Sequence, residues 1–392
     1  MARIGSTRRG DMNDDLPHSP SVARLTIARA TAWALLLAGW VGLGGVALSL
    51  TPRLDGVYAL VAAWLLSLGI AATIATRDSL RARARRIAVG LCAAITAATL
   101  AWSTHGGGLP ALLVALAGWA GLTALASGVV RSARLAQRAR PAPPIGAASL
   151  GAVCATIAIA DPADARALSL RLGVLVLVAA LALALLQISD RPGNAASRCR
   201  AGLFDCSLPA WPAGAWHDAQ QWPVLLAGLA MLPMMAALPM MVAWCRAEAV
   251  APQGMVALHF VAMFVPALLL RRSVAQWPAR ILAVVCTLLL ASGAIAAIWA
   301  STPYNLFGVA LAHGAAWSLA WTGQLWSPDR RSRQGTSPLL PAIGYAALTM
   351  AVGVVVERWG PAGLAVMQAA LGLAAALAWG YVTAIREHLP TA

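Results

Sequence analysis

The chain has no lysine and few acidic residues: all 29 of its basic residues are arginine, against 14 Asp and Glu in 392 residues. Charged residues make up only 11% of the sequence, whereas 60% of the residues are hydrophobic and the mean hydropathy is +0.73. So little charge excludes an ordinary water-soluble fold, because such folds carry about 25% charged residues. The composition therefore predicts a membrane protein.

Cysteine motifs and catalytic motifs are missing too. The six cysteines form no C-x-x-C pair and no zinc spacing, so neither a disulfide framework nor a zinc site is predicted. There is no ATP-binding motif and no recognisable pairing of a nucleophile with a base, so the chain is not predicted to be an enzyme. The net charge of +15 comes from arginines in short loops between apolar blocks, where it indicates membrane topology rather than nucleic-acid binding.

Twelve apolar blocks are long enough to cross a bilayer core of about 30 Å, which takes roughly 20 helical residues. We predict six helices near residues 31–50, 56–76, 87–104, 109–130, 144–160 and 167–188. Six more are predicted near residues 223–244, 254–270, 279–300, 304–325, 337–356 and 361–384. The predicted fold is an all-α polytopic membrane protein with twelve transmembrane helices in two six-helix bundles, residues 31–188 and 223–384.

The arginines predict the orientation of these helices. When the loops are assigned alternately to the two sides, the side that holds both termini receives all the arginines except Arg53, Arg166, Arg171, Arg246 and Arg358. Basic loops face the cytoplasm, so the tails 1–30 and 385–392 and the central loop 189–222 are predicted to be cytoplasmic. Tryptophans near predicted helix ends are expected to anchor the helices at the interfaces: Trp40, Trp102, Trp222, Trp244, Trp299, Trp326 and Trp359.

Two arginine-rich loops occupy equivalent places in the two halves. "TRDSLRARARRIA" follows the second predicted helix and "RRSVAQWPARIL" follows the eighth. With six helices on either side of the central loop, the chain resembles the major facilitator superfamily. That resemblance implies two bundles that rock about a central site and expose it alternately to the two sides of the membrane.

The polar chemistry inside the predicted helices is soft and uncharged. No Asp or Glu lies inside them, but "MLPMM" contains Met231 and Met235, and "HFVAM" contains His259 and Met263. Residues four apart share one helix face, so each motif presents two side chains in one direction. With a rise of about 1.5 Å per residue, Met235 and Met263 lie roughly 14 Å from the outer ends of their helices. Thioethers and neutral imidazoles are ligands that suit copper, especially Cu(I).

An M-x-x-x-M followed on the next helix by H-x-x-x-M resembles the CcoA-type copper importers, the CalT family, of the same superfamily. The resemblance implies copper ligation by Met231, Met235, His259 and Met263. It also implies copper import across the bacterial inner membrane and supply of cbb3-type cytochrome oxidase assembly. Copper is then a transported substrate rather than a bound cofactor. The implied partners are the lipid bilayer and cytoplasmic copper chaperones or a copper-exporting ATPase.

Four further residues are possible accessory groups. Cys245 is the best positional match to the family's membrane cysteines, Met234 and Met241 share a neighbouring face of their helix, and His313 lies inside another helix. Two alternatives stay open. The methionines are common gap-fillers in apolar helices, so they are also compatible with a carrier for a small apolar organic compound. His259 and His313 are the only intramembrane pair that could hold haem in a non-transporting membrane assembly factor.

Overall fold

Every element that the structure describes is helical. The computed structural model describes residues 22–51, 54–76, 82–136, 144–159, 164–188, 231, 252–274, 276–299, 303–325 and 339–388. The helices are α1 (Val22–Leu50), α2 (Leu54–Thr76), α3 (Ala82–Trp102), α4 (Gly108–Ala136), α5 (Pro144–Ile159) and α6 (Ala165–Ile188), then α7 (Pro252–Leu269), α8 (Ala279–Ile298), α9 (Pro303–Leu325) and α10 (Leu339–His388). A π-helical turn (Ser103–Gly107) joins α3 to α4, and a short helix (Arg271–Val274) follows α7.

The predicted all-α fold class is confirmed, and most predicted boundaries agree with the structure to within a few residues. The predicted helix 223–244 lies outside the described residues apart from Met231. The prediction for the amino-terminal end was wrong, because α1 begins at Val22 and not at residue 31. Leu25 and Ala28 are buried there, and "VARLTIARA" contains no glycine or proline to stop a helix. Residues 22–30 therefore belong to α1 rather than to a polar tail.

The outer faces of the helices are apolar, as a bilayer requires. On α6 an exposed row runs along one face, at Leu170, Val174, Leu177, Leu181 and Leu185. The opposite face of α6 is buried in the protein. Because lipid tails cannot bond to polar groups, exposed apolar side chains at helical spacing indicate contact with lipid. Six helical stretches of the described chain are long and apolar enough to cross a membrane.

The tryptophans divide into two groups. Trp102, Trp299 and Trp359 are more than half exposed at helix ends, as predicted for interfacial anchors. Trp40 does not fit that prediction, because it lies well inside α1 (Val22–Leu50) and not near either end. It is buried with its ring centroid 5.9 Å from that of Trp64 on α2. Trp222, Trp244 and Trp326 lie outside the described residues.

Helix packing within the described chain forms two groups that meet along a long contact. α1 packs on α4, α5 and α6, and α3 packs on α4 and α6. In the second group α9 lies between α7 and α8, and α8 also packs on α10. The groups meet where α2 packs on α10 and where α5 packs on α7. We call them the amino-terminal group (α1–α6) and the carboxy-terminal group (α7–α10).

Helix α10 is interrupted at Gly360, which has φ +57° and ψ −148°. That combination is almost restricted to glycine, because a Cβ atom there collides with the backbone. The arms 339–359 and 361–388 depend on this residue for their relative direction. We therefore expect Gly360→Ala to lower the free energy of unfolding by about 1–3 kcal/mol. Gly380→Ala, at an open position in the same helix, is the control and should be neutral or stabilising. Unfolding in detergent micelles measures both, and an equal effect of the two substitutions would contradict the argument.

Candidate functional site

The described ligand candidates are all buried. Met231, His259 and Met263 are 5%, 1% and 1% exposed, and His313 is fully buried. Met231 and Met263 belong to one hydrophobic core, which also contains residues of α1 and α2. The other predicted ligand, Met235, and the accessory candidates Met234, Met241 and Cys245 lie outside the described residues, so their predictions are untested.

His259 has one nitrogen bonded and one free. Its Nδ1 lies 2.9 Å from the carbonyl oxygen of Ala310 on α9. Because a carbonyl only accepts hydrogen bonds, Nδ1 carries the proton and donates it. Nε2 is buried and has no hydrogen-bond partner in the described part of the chain. A metal-binding histidine typically has this arrangement, with one N–H held by a carbonyl and the other nitrogen directed to the metal.

The close contact between α7 and α9 positions this ring. A Cβ atom at Gly314 of α9 would lie 2.8 Å from the carbonyl oxygen of His259 and 3.1 Å from the amide nitrogen of Met263. Nearer the other end of α7, the amide of Ala267 donates to the Ser318 hydroxyl at 3.0 Å. Glycine thus lets the two backbones approach at the level of the H-x-x-x-M motif, as small residues do in membrane helices.

His313 repeats the arrangement of His259 on the adjacent face of α9. Its Nδ1 donates to the carbonyl oxygen of Val309 at 3.1 Å, and its Nε2 is buried without a hydrogen-bond partner in the described chain. The ring packs directly on Gly293 of α8, where no side chain intervenes. The buried side chain of Gln368 on α10 approaches the His313 ring. His259 also interacts electrostatically with His313.

Sequence reasoning missed Gln368. The signal was present, because "AVMQAALG" places a single amide in an otherwise apolar block. Burying an amide costs free energy unless it is hydrogen-bonded, so such a residue indicates a polar neighbour on another helix. The sequence could not identify His313 as that neighbour.

Carboxylates and thiols contribute little to this region. Among the described residues, no group of three or more His, Cys, Asp or Glu side chains is placed to hold a metal ion. The described cysteines, Cys92, Cys154 and Cys286, form no disulfide. Cys286 donates weakly to the carbonyl oxygen of Ala316, at 3.5 Å. The candidate ligands in the described region are therefore the imidazoles of His259 and His313 and the thioethers of Met231 and Met263.

An aromatic cluster joins the two helix groups. The ring of Trp33 on α1 lies edge-on to Phe264 of α7 at 5.5 Å and to Trp317 and Trp321 of α9 at 6.3 and 5.7 Å. Trp317 and Trp321 stack on each other at 5.0 Å. Phe264 follows Met263 directly, so the cluster lies beside the candidate ligands. We call these four residues the aromatic cluster.

Solved transporters share this arrangement of helices. The nucleoside transporter NupG superposes with a TM-score of 0.64 at 16% identity, covering 92% of this chain and 99% of that one. The E. coli fucose:proton symporter FucP gives 0.56 at 15% identity, over 93% and 99% of the two chains. The human organic anion transporter MFSD10 gives 0.52 at 17% identity, over 93% and 100%. This chain has the major facilitator fold. The sequence matches no protein-family model and no curated protein.

The candidate ligands lie near the contact between the two helix groups. Met263 and the aromatic cluster lie where the amino-terminal and carboxy-terminal groups meet, and His259 lies one turn from Met263 on α7.

Proposed function

We propose that this protein is a secondary transporter that imports copper across the bacterial inner membrane by alternating access. Met231, Met235, His259 and Met263 are the proposed ligands. The observation that carries the proposal is the His259 ring: its N–H is held by the Ala310 carbonyl, and its other nitrogen is buried without a partner among the described residues. Leaving a buried nitrogen unpaired costs free energy, which binding of an ion at Nε2 offsets.

The ligand chemistry supports copper over other ions. A thioether one turn from a neutral imidazole is a soft pair that suits Cu(I) and is poor for magnesium, calcium or manganese. Neutral ligands also suit a carrier, because they bind less tightly than several thiolates and release the ion more readily. With no ATP-binding motif in the chain, an ion gradient, the membrane potential or capture by cytoplasmic acceptors drives uptake. The acceptors are copper chaperones or a copper-exporting ATPase that supplies cbb3-type oxidase assembly.

Copper uptake in cells tests this proposal. We expect Met231→Leu, His259→Leu and Met263→Leu each to lower uptake of labelled copper by about tenfold or more, the usual effect of weakening a metal site. Met350→Leu is the control. Met350 lies on the outer surface of α10, where 44% of it is exposed, so its substitution should leave uptake unchanged.

Oxidase activity provides a second measurement. At low external copper, cells that lack the protein should have low cbb3-type oxidase activity, and added copper should restore it. Wild-type uptake in the His259→Leu and Met263→Leu proteins would contradict copper ligation. Normal oxidase activity in cells without the protein, despite reduced uptake, would contradict only the role in oxidase assembly.

A small organic solute is the second candidate substrate. The indole N–H groups of Trp40 and Trp64 are buried without hydrogen-bond partners in the described chain, and Trp64 lines a narrow apolar crevice between α1, α2 and α4 that must widen before it admits a solute. Such donors beside an apolar surface suit a compound with hydrogen-bond acceptors. Trp40→Phe and Trp64→Phe remove only the N–H groups. A loss of solute transport with unchanged copper uptake would favour this candidate, and a Soret band in the purified protein would favour a haem-containing assembly factor.

A further inference from the structure

His259 and His313 have the same bonding pattern although they lie on different helices. Each ring donates its Nδ1–H to a backbone carbonyl of α9, and each keeps a buried Nε2 without a hydrogen-bond partner in the part of the chain that the structure describes. In a neutral imidazole with the proton on Nδ1, Nε2 carries the lone pair. The carboxy-terminal group thus holds two buried imidazole nitrogens whose lone pairs meet no hydrogen-bond donor among the described residues.

The two rings lie at the same depth. Their acceptors are the carbonyls of Val309 and Ala310, which are consecutive on α9 and therefore differ by about 1.5 Å along the helix axis. Each Nδ1 is within hydrogen-bond distance of one of these two neighbouring carbonyls. Consecutive residues lie about 100° apart around a helix, so Gly314 faces α7 and His259 while the neighbouring His313 lies on the adjacent face, against Gly293 of α8.

The surroundings of His313 are those of a built site. Gly293 of α8 leaves room for the ring, because a Cβ atom there would overlap its Nδ1 and Cε1 atoms. Gln368 approaches from α10 and is 1% exposed. Three helices therefore contribute to holding one imidazole whose Nε2 makes no hydrogen bond within the described residues. A histidine that only joined helices would be expected to use both nitrogens.

We infer that His313 is a further copper ligand, which binds the ion together with His259, and that Gln368 is a positioning residue that orients the His313 ring. Imidazole binds copper, zinc, iron and nickel, and the sulfur of Met263, one turn from His259, selects copper among these. The inference rests on the proposed function for the identity of the ion. Part of the copper site then lies inside the carboxy-terminal group and not at its contact with the amino-terminal group.

X-ray absorption of the purified full-length protein loaded with Cu(I) tests the inference directly. We expect two nitrogen ligands and at least one sulfur ligand in the wild-type protein, and one nitrogen in His313→Gln. A competing Cu(I) chelator measures affinity, which should fall by about tenfold or more in His313→Gln. Gln368→Leu should weaken binding less and keep both nitrogens, because Gln368 orients a ligand without being one.

Thr322→Val is the matched control for His313→Gln. Thr322 is a buried residue of the same helix that also bonds to the carbonyl four residues before it, at 2.7 Å, so the substitution removes a similar contact without removing a ligand. It should leave copper affinity and nitrogen count unchanged. Unfolding temperatures of the copper-free proteins show whether each variant is folded. The number of nitrogen ligands in the wild-type protein tests the inference even if a variant does not fold.

The outcomes separate this inference from the proposed function. A single nitrogen in wild-type protein, or full affinity in folded His313→Gln, would overturn the role of His313. If His259→Leu still abolished binding in that case, the proposed function would stand. Two nitrogens in wild-type protein together with normal copper uptake in His259→Leu cells would leave the two-histidine site intact and remove its role in transport.

Discussion

Gly314→Leu is expected to separate α7 from α9 and to abolish copper binding. A Cβ atom at position 314 would lie 2.7 Å from the Cβ of Ala262 and 2.8 Å from the carbonyl oxygen of His259. These neighbours belong to or adjoin the backbone of α7, so they cannot move aside as a flexible side chain can. Overpacking of this kind costs about 1–3 kcal/mol and sometimes more, and leucine adds further volume. The His259 ring would then lose the Ala310 carbonyl that orients it.

Two measurements check this result. The unfolding temperature of the purified protein should fall, and the affinity for Cu(I) should fall in protein kept folded at low temperature. Gly308→Ala is the control on the same helix, since a Cβ atom there meets only Ala296, at an ordinary 3.7 Å. Gly314→Leu protein with wild-type stability and affinity would show that the α7–α9 contact does not position the site.

Trp33→Ala is expected to loosen the contact between the two helix groups on the side predicted to be cytoplasmic. Trp33 makes all the described ring contacts between α1 and the carboxy-terminal group, with Phe264, Trp317 and Trp321. Removing a buried tryptophan costs about 3–5 kcal/mol. In the structure the two helix groups touch through these rings, and the rings separate when the groups move apart. The substitution therefore destabilises the arrangement with the groups in contact more than an arrangement with the groups apart. The second arrangement should become more populated.

Hydrogen exchange measures this shift. Exchange in α1 and in the half of α9 that contains Trp317 and Trp321 should become faster in Trp33→Ala than in the wild type. Trp40→Ala is the control, because the Trp40 ring packs on Trp64 within the amino-terminal group. It should lower overall stability without faster exchange in α9. Equal exchange of α9 in the wild type and Trp33→Ala would show that the aromatic cluster does not hold the groups together.

Much of the fold was predictable from the chain alone. Long apolar blocks separated by arginine-rich loops predict membrane helices, because a bilayer imposes the same length on every crossing segment. The boundaries of α2, α5 and α6 agree with that prediction to within two residues, whereas α3 begins five residues earlier and α4 ends six residues later than predicted. The predicted start of α1 was too late for a physical reason. Hydropathy identifies only the apolar part of a helix, but a helix can continue through polar residues such as Arg24 while its other face stays buried.

The candidate site was predictable only in part. Spacing along one helix identified His259 and Met263 as neighbours, because residues four apart share a helix face whatever surrounds them. Trp33 carried no comparable signal, and the single amide of Gln368 indicated a polar neighbour without identifying it. Their partners lie on other helices, and the rotation of each helix about its axis is decided by packing against all its neighbours.

The sequence by itself determined which segments are long and apolar enough to cross a membrane, where the arginines lie between them, and which soft side chains share a turn of one helix. These properties follow from hydropathy, loop charge and helical periodicity, and none of them requires a second segment. Only the tertiary structure decided that Ala310 holds the His259 ring, that Gly314 brings α7 against α9, and that Gln368 meets His313. Each of those contacts joins residues that are distant along the chain, so it exists only once the helices have packed.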